Sequence, residues 1–388
     1  MKFSIIIICL LFSTLASAQQ QGYLQTVFDK NAVICTEENA YLLGYLSYLA
    51  YPKYLYHYQK RQEPNLPISQ WTKMDSEKDY YLAQFRKSTQ TFFGELPAEN
   101  YAFFSVLHKK YDPEVLLVED TACIWLIFRG TDSVMTEKKP FLKEYQEWIS
   151  TDFDLRKQHL RKVSKGMIHS GFSKSLSLIA DSLGKEVLKR GGKHKKVWLC
   201  GHSLGGGQAL LFAMYLHKNY RIKAQGVYVY ACPPVGNSVF EREINSIFSR
   251  NQIQRFDFVE DPVTLLPPHI FGFRHVGTRN YFASTHEVAY KVAERKAIVG
   301  NLRIWAFPFN LGSVLLKQTL RKPAMKLPLG GLCFHHPEWY LQALYRPDAA
   351  QKLPDLLPMP LPTAENMGCD CQKVARGKNE NLIYQAQK

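Results

Sequence analysis

The chain has 388 residues, 46% of them hydrophobic and 21% charged, with a net charge of +15. That apolar content excludes a disordered chain, and the length suffices for one large domain with a substantial core. The positive balance suits anionic lipid headgroups or nucleic acid, but the basic residues are scattered singly or in pairs and no nucleic-acid-binding module is visible; a basic soluble surface and contact with an anionic membrane remain, with no nucleic-acid partner expected.

The N-terminus reads as a secretory signal over residues 1–18: Lys2, an apolar stretch from Ile5 to Leu11, and Ala16-Ser17-Ala18 before Gln19. Ser4 and Ser13-Thr14 leave the run too short for a membrane anchor. Removal of Lys2 with this leader takes the net charge from +15 to +14, and the mature protein is expected to be secreted or periplasmic. Of the eight cysteines, Cys9 leaves with the leader. Cys123, Cys200 and Cys232 sit in apolar strand-like runs and read as buried thiols, whereas Cys35, Cys333, Cys369 and Cys371 are candidates for pairing. Cys369-Asp370-Cys371 has no second ligand pair nearby, so no metal site is expected.

In chain order, 38–50 predicts an amphipathic helix, followed by a tyrosine-rich stretch broken at Pro52, Pro64 and Pro67. Strands are predicted at 101–108, 114–118 and 122–129. Phe172, Leu176, Ile179, Leu183 and Val187 mark a helix over 172–189. Strand 197–200, helix 204–218, strand 226–232, helix 239–248 and strand 253–259 follow. His286 precedes what reads as a helix start at 287–290. A helix opens at Pro337, with its proline in the first turn. The alternation implies an α/β fold with a mostly parallel central sheet and helices on both faces. The apolar run 301–320 is interrupted by Arg303, Pro308 and Lys317 and should not cross a bilayer. Five prolines crowd 347–362, so 19–345 reads as the domain and 346–388 as a Pro-rich C-terminal extension.

The most informative stretch is Cys200-Gly201-His202-Ser203-Leu204-Gly205-Gly206, a Gly-x-Ser-x-Gly turn between a strand and a helix. In that context the motif mounts a serine on a sharp elbow at a helix N-terminus. A serine hydroxyl is a weak nucleophile at neutral pH and needs a base, which in turn needs an orienting acid. In α/β-hydrolases these follow in the order serine, acid, histidine. Asp261 ends a strand just before Pro262, on the edge that carries the elbow, and is preferred as the acid over Asp257 and Glu260. Downstream histidines are His269, His275, His286, His335 and His336; the last two lie on a loop before a helix, and either fits the base. Leu204 supplies one backbone N–H for an oxyanion, and Phe128-Arg129-Gly130-Thr131 supplies a second at Thr131.

These residues resemble the class 3 lipases, which include the fungal triacylglycerol lipases. The resemblance rests on Phe128-Arg129-Gly130-Thr131, His169-Ser170-Gly171-Phe172, Gly201 to Gly206, Pro234-Val235-Gly236-Asn237 and Asp261-Pro262-Val263 with Leu266-Pro267-Pro268, and it spans about 38–345. It implies an α/β-hydrolase with Ser203 as nucleophile, Asp261 as acid, and Thr131 and Leu204 as oxyanion donors, with no cofactor. Tyr340-Leu341, five residues on, favours His335 over His336 as base, and His169 is implied to be structural. Glu147 to Asp152 matches a further family motif only loosely. Thr131 to Trp148 is longer than in the fungal lipases and is a candidate amphipathic flap. The insert 296–326 is a candidate acyl-groove or lipid-facing element. The implied activity is hydrolysis of lipid carboxylic esters through an acyl-enzyme, with phospholipase A1 or short-chain esterase as alternatives. A lipid-binding effector on a hydrolase scaffold is the non-enzyme alternative.

Overall fold

The computed structural model describes residues 21–108, 111–131, 156–258, 261–284, 287–289, 335–345 and 352–353. The leader 1–18, the flap beyond Thr131, the loosely matched 147–152 motif, Glu260, His286, the insert 296–326, Cys333, Cys369, Cys371 and most of 346–388 lie outside the described residues.

Among the described residues an eight-stranded sheet runs in the order β1 (Tyr101–Ser105), β2 (Glu114–Glu119), β3 (Cys123–Phe128), β6 (Lys196–His202), β7 (Gly226–Tyr230), β9 (Ile253–Phe258), β11 (Thr278–Ser284), β12 (Glu287–Ala289). The five strands from β3 to β11 are mutually parallel, and the antiparallel pairs lie at the two sides. A small antiparallel sheet of β4 (Lys157–His159), β5 (Met167–His169), β8 (Gly236–Asn237) and β10 (Phe273–Arg274) stands apart.

Side chains alternate across the central strands with period two. Trp125, Ile127, Trp198, Cys200, Tyr228, Tyr230 and Phe256 enter one core. Ile124, Leu126, Val197, Leu199, Val227 and Val229 enter the other. The first core is roofed by α1 (Glu37–Leu49), α2 (Pro52–Gln62), α3 (Ile68–Ser76), α4 (Lys78–Ser88) and, near the other end of the chain, α9 (Pro337–Leu344). The second is covered by α5 (Ser170–Ser177), α6 (Ala180–Lys189), α7 (Leu204–Tyr220) and α8 (Ser238–Ile247). A sheet buried on both faces, with parallel central strands ending in a strand–serine–helix turn, is the α/β-hydrolase architecture.

Four local expectations are corrected. Pro52 starts α2 rather than breaking the chain, because proline at the first helical position gives up an N–H that has no partner there. Helix α1 is buried from Asn39 to Leu49 rather than amphipathic: its outward side is covered in turn, with Tyr45 packed on Tyr58 of α2. The helix over 172–189 is two helices. At the joint the N–H groups of Leu178 and Ile179 bond back only three residues, to Ser175 and Leu176, while the apolar stripe stays buried across the break. Residues 287–289 form a strand, β12, because pairing with β11 places Val288 opposite Phe282.

Cys123, Cys200 and Cys232 are buried thiols, as expected, and Cys35 is also free. Burial pushes the Cys35 thiol up to about 12. Among the described residues no helix is long and apolar enough to cross a membrane.

Candidate active site

Strand β6 lies between β3 and β7 and runs directly into the elbow. Ser203 has φ 58° and ψ −126°, a left-handed backbone that a residue with a side chain adopts only when its surroundings impose it. Two glycines allow this. A Cβ on Gly201 would lie 2.6 Å from the Gly205 carbonyl carbon, and one on Gly205 would lie 2.2 Å from the Phe128 carbonyl oxygen, so strand and helix touch backbone to backbone. The Ser203 N–H donates to Tyr230 O at 2.9 Å, which pins the turn to β7. Leu204 opens α7, in the first turn where backbone N–H groups lack intrahelical acceptors and favour negative charge.

Beyond the end of β9, Asp261 caps a short 3₁₀ turn, Pro262–Leu265, and its Oδ1 accepts the Val263 N–H at 2.9 Å. Its Oδ2 accepts two donors, His335 Nδ1 at 2.9 Å and the Tyr340 hydroxyl at 2.7 Å. The side chain is fully buried. His335 presents its other nitrogen, Nε2, to Ser203 Oγ at 2.8 Å. Because Nδ1 faces a carboxylate it carries the ring proton, which leaves Nε2 to accept from the serine hydroxyl. A hydroxyl, an imidazole and a carboxylate from three distant stretches thus form one hydrogen-bonded chain, the arrangement in which an imidazole can take a hydroxyl proton while a carboxylate steadies it.

The two candidate histidines part here. His336 turns away from the serine, and its Nδ1 meets the Tyr54 hydroxyl at 2.7 Å. Burial, with Lys53 and His335 nearby, holds the His336 imidazole well below its usual range, so it stays neutral. His275 donates Nε2–H to Thr264 O at 2.7 Å behind the Asp261 turn, and His269 is exposed in a 3₁₀ turn. His169 caps α5 by accepting the Gly171 N–H at 3.1 Å, the structural position its motif implied. Asp257 is buried between Arg255 Nε at 2.9 Å and Arg279 Nε at 2.8 Å, away from Ser203's partners.

At the end of β3, Gly130 packs on the elbow. A Cβ there would lie 2.2 Å from the Tyr51 hydroxyl, 2.6 Å from His202 O and 3.3 Å from Ser203 Cβ. Thr131 follows it immediately and is exposed. Two contributors, Tyr51 and Tyr54, carry no motif of their own, while Tyr340 belongs to the Tyr-Leu pattern that favoured His335. Tyr51, at the turn between α1 and α2, meets His202 Nδ1 at 2.9 Å. Tyr54 holds His336, and Tyr340 holds Asp261. The density of tyrosines between 41 and 58 was the available signal for the first two.

Residues 125–271 match the family model described as Lipase (class 3). Over that stretch the chain is similar to the class 3 lipases. The chain is 29% identical over 175 residues to a lipase of Rhizopus niveus, covering 44% of this chain and 41% of that one. It is 29% identical over 158 residues to the secreted mono- and diacylglycerol lipase 1 of Fusarium solani, covering 40% and 46%. It is also 30% identical over 118 residues to the toxin TseL of Vibrio cholerae, covering 29% and 18%. The chain therefore spans less than half the length of these curated relatives. Among solved structures, the lipase from Rhizopus microsporus var. chinensis superposes with a TM-score of 0.47 at 20% identity, covering 65% of this chain and 77% of that one. The matched stretch holds Ser203 and Asp261, but His335 lies beyond its end.

Proposed function

We propose that this chain is a serine hydrolase that cleaves carboxylic esters of lipids through an acyl-enzyme. The observation that carries the reading is the pair of hydrogen bonds, 2.8 Å and 2.9 Å, that join Ser203 to His335 and His335 to Asp261 at the strained elbow. In this mechanism His335 Nε2 takes the Ser203 proton as Oγ attacks the ester carbonyl, and Asp261 holds the Nδ1–H and steadies the imidazolium. The backbone N–H groups of Leu204 and Thr131 receive the oxyanion, each worth about 3 kcal/mol in the transition state. The imidazolium returns its proton to the departing alcohol. Water, activated by His335, then releases the fatty acid and restores Ser203.

Relatives named as lipases, one of them as a secreted mono- and diacylglycerol lipase, support a glyceride ester as substrate and export of the chain. The leader at 1–18, a mature domain over 19–345 and an extension over 346–388 belong to the same reading. The net charge of +15 supports peripheral contact with anionic lipid and keeps phospholipase A1 as a second reading. Rates on emulsified triglyceride, phosphatidylglycerol vesicles and soluble butyrate esters separate lipase, phospholipase A1 and short-chain esterase.

The decisive experiment is Ser203→Ala with p-nitrophenyl butyrate, paired with fluorophosphonate labelling and peptide mapping of the wild type. Loss of turnover in a folded variant, with label on the Ser203 peptide, is expected. Retained turnover, or a wild type that resists the label, refutes the reading and leaves a lipid-binding scaffold in its place.

A further inference from the structure

The two residues at the elbow grip opposite ends of one histidine. Ser203 Oγ meets the ring of His335 at Nε2, and His202, the residue before it, reaches the backbone of His335, with Nε2 2.7 Å from the His335 carbonyl oxygen. A carbonyl can only accept, so His202 Nε2 carries the hydrogen. Burial, with His335 beside it, holds the His202 imidazole well below its usual range, so the ring is neutral and its Nδ1 is an acceptor. The Tyr51 hydroxyl, 2.9 Å away, is the donor that satisfies it. Both side chains are buried, and Gly130 leaves the space that the Tyr51 hydroxyl fills. Tyr51 lies outside the family-matched stretch, at the turn between two helices of the roof.

We propose that Tyr51 and His202 form a positioning clamp for His335: the tyrosine locks His202 in its Nε2–H tautomer, and that N–H fixes the height of the His335 backbone so that its ring spans Asp261 and Ser203. The proposal rests on the reading of Ser203, His335 and Asp261 as the reacting groups. Tyr51 stands behind His202, which meets His335 at its carbonyl and packs ring against ring on it at 4.9 Å between centroids; both act through where His335 sits. If Tyr51 loses its hydroxyl, the proton of His202 is free to move to Nδ1, and a lone pair on Nε2 would then face the His335 carbonyl and push it away. Misplacing a reacting group by about 1 Å can cost 10²-fold in rate.

The test measures kcat and KM on a soluble butyrate ester, thermal melting, and the histidine tautomers by ¹⁵N NMR. His202→Leu should lower kcat about 10–100-fold with KM within about twofold, because substrate contacts are untouched. His202→Gln keeps an N–H at similar reach and should recover most of that loss. Tyr51→Phe keeps the ring's volume, should lower kcat by a smaller factor, and should abolish the pure Nε2–H signature of His202. Because Tyr51 acts through His202, the double variant should be no slower than His202→Leu alone. The clamp is overturned if folded His202→Leu retains wild-type kcat, if the glutamine variant is as slow as the leucine one, if the two losses multiply, or if His202 in the wild type carries its proton on Nδ1. The tautomer measurement needs no turnover, so it judges the clamp even if the wild type resists fluorophosphonate and the hydrolase reading itself fails.

Discussion

Replacement of Tyr340 by phenylalanine tests how much of the site's power comes from holding Asp261 still. The Tyr340 hydroxyl donates to Oδ2 at 2.7 Å, the same oxygen that meets His335, and also accepts the Phe258 N–H at 3.3 Å. A buried hydrogen bond to a charged group is worth about 1.5–3 kcal/mol. Tyr340→Phe removes it, leaves the Phe258 N–H without this acceptor, and keeps the ring that packs edge-on against Phe258 at 5.1 Å. Oδ1 is still tied to the Val263 N–H, so the carboxylate loosens rather than leaves. Roughly half of the lost energy expressed in the transition state lowers kcat about three- to tenfold, at 1.4 kcal/mol per decade. The remainder shows as a melting temperature lower by several degrees. Burial, with Asp261 close by, pushes the Tyr340 phenol well above its usual range, so it stays a donor and the defect should be the same from pH 6 to pH 9. Initial rates on p-nitrophenyl butyrate and a thermal melt read both effects. A variant that melts early but keeps wild-type kcat would show that Tyr340 only supports the fold; one unchanged in both would refute the account of the Asp261 contacts.

Asp261→Asn should cut kcat by about 10³–10⁴ with KM little changed, since an amide favours the wrong imidazole tautomer; steady-state kinetics check it. Gly205→Ala puts a Cβ 2.2 Å from the Phe128 carbonyl oxygen, a backbone atom that cannot swing aside. Overpacking of this kind costs about 1–3 kcal/mol, and since it parts α7 from β3 the activity should fall with the stability; urea denaturation and ester hydrolysis read the two. Acid should destabilise the protein below neutrality. His202 and His336 are held neutral by burial, so the unfolded chain binds protons that the folded one refuses; their contribution is present above the ordinary histidine value and lost as pH falls, about 1.4 kcal/mol per unit each. Glu338, raised to about 7 by burial, opposes them: its contribution is present below the ordinary carboxylate value and lost as pH rises through about 7. Two against one already leaves a net loss of stability as pH falls from about 6.5 to 4.5. His275, pushed down to about 3 by burial and Arg255, and His57, pushed down to about 4 by burial and Lys53, add in the same direction. A flat or rising stability over that window refutes the neutral assignments.

What could be read from the chain alone was what is encoded locally. The elbow is local, because Gly201 and Gly205 flank the serine within five residues and their need for close backbone approach does not depend on the rest of the fold. Asp261 is nearly so, since a strand end followed by proline sets a carboxylate at a sheet edge. His335 against His336 is a different kind of question. Adjacent residues on a loop differ only in where their rings turn, and that is decided by Tyr54 of α2, which takes His336, and by Asp261, which takes His335. The short strand at 287–289 was misread for a like reason: its state depends on β11 being there to pair with it.

The same distinction bears on what the family match explains. Residues 125–271 contain the elbow, Gly130-Thr131 and Asp261, the parts set by the parallel strands and the turns at their ends. His335 comes from beyond that stretch, and the tyrosines bonded to its neighbours come from both flanks: Tyr51, on His202, and Tyr54, on His336, before it, and Tyr340, on Asp261, after it. A strand-end serine and carboxylate are placed by backbone pairing, which tolerates wide changes in side chains. The histidine sits on a loop joined to helix α9, so its position depends on side-chain contacts with the roof. Divergence among proteins sharing this central stretch is therefore expected to fall on the flanking helices. A chimera that keeps 125–271 but exchanges 37–62 should retain the elbow and lose the alignment of His335, which a drop in kcat without loss of the fold would register.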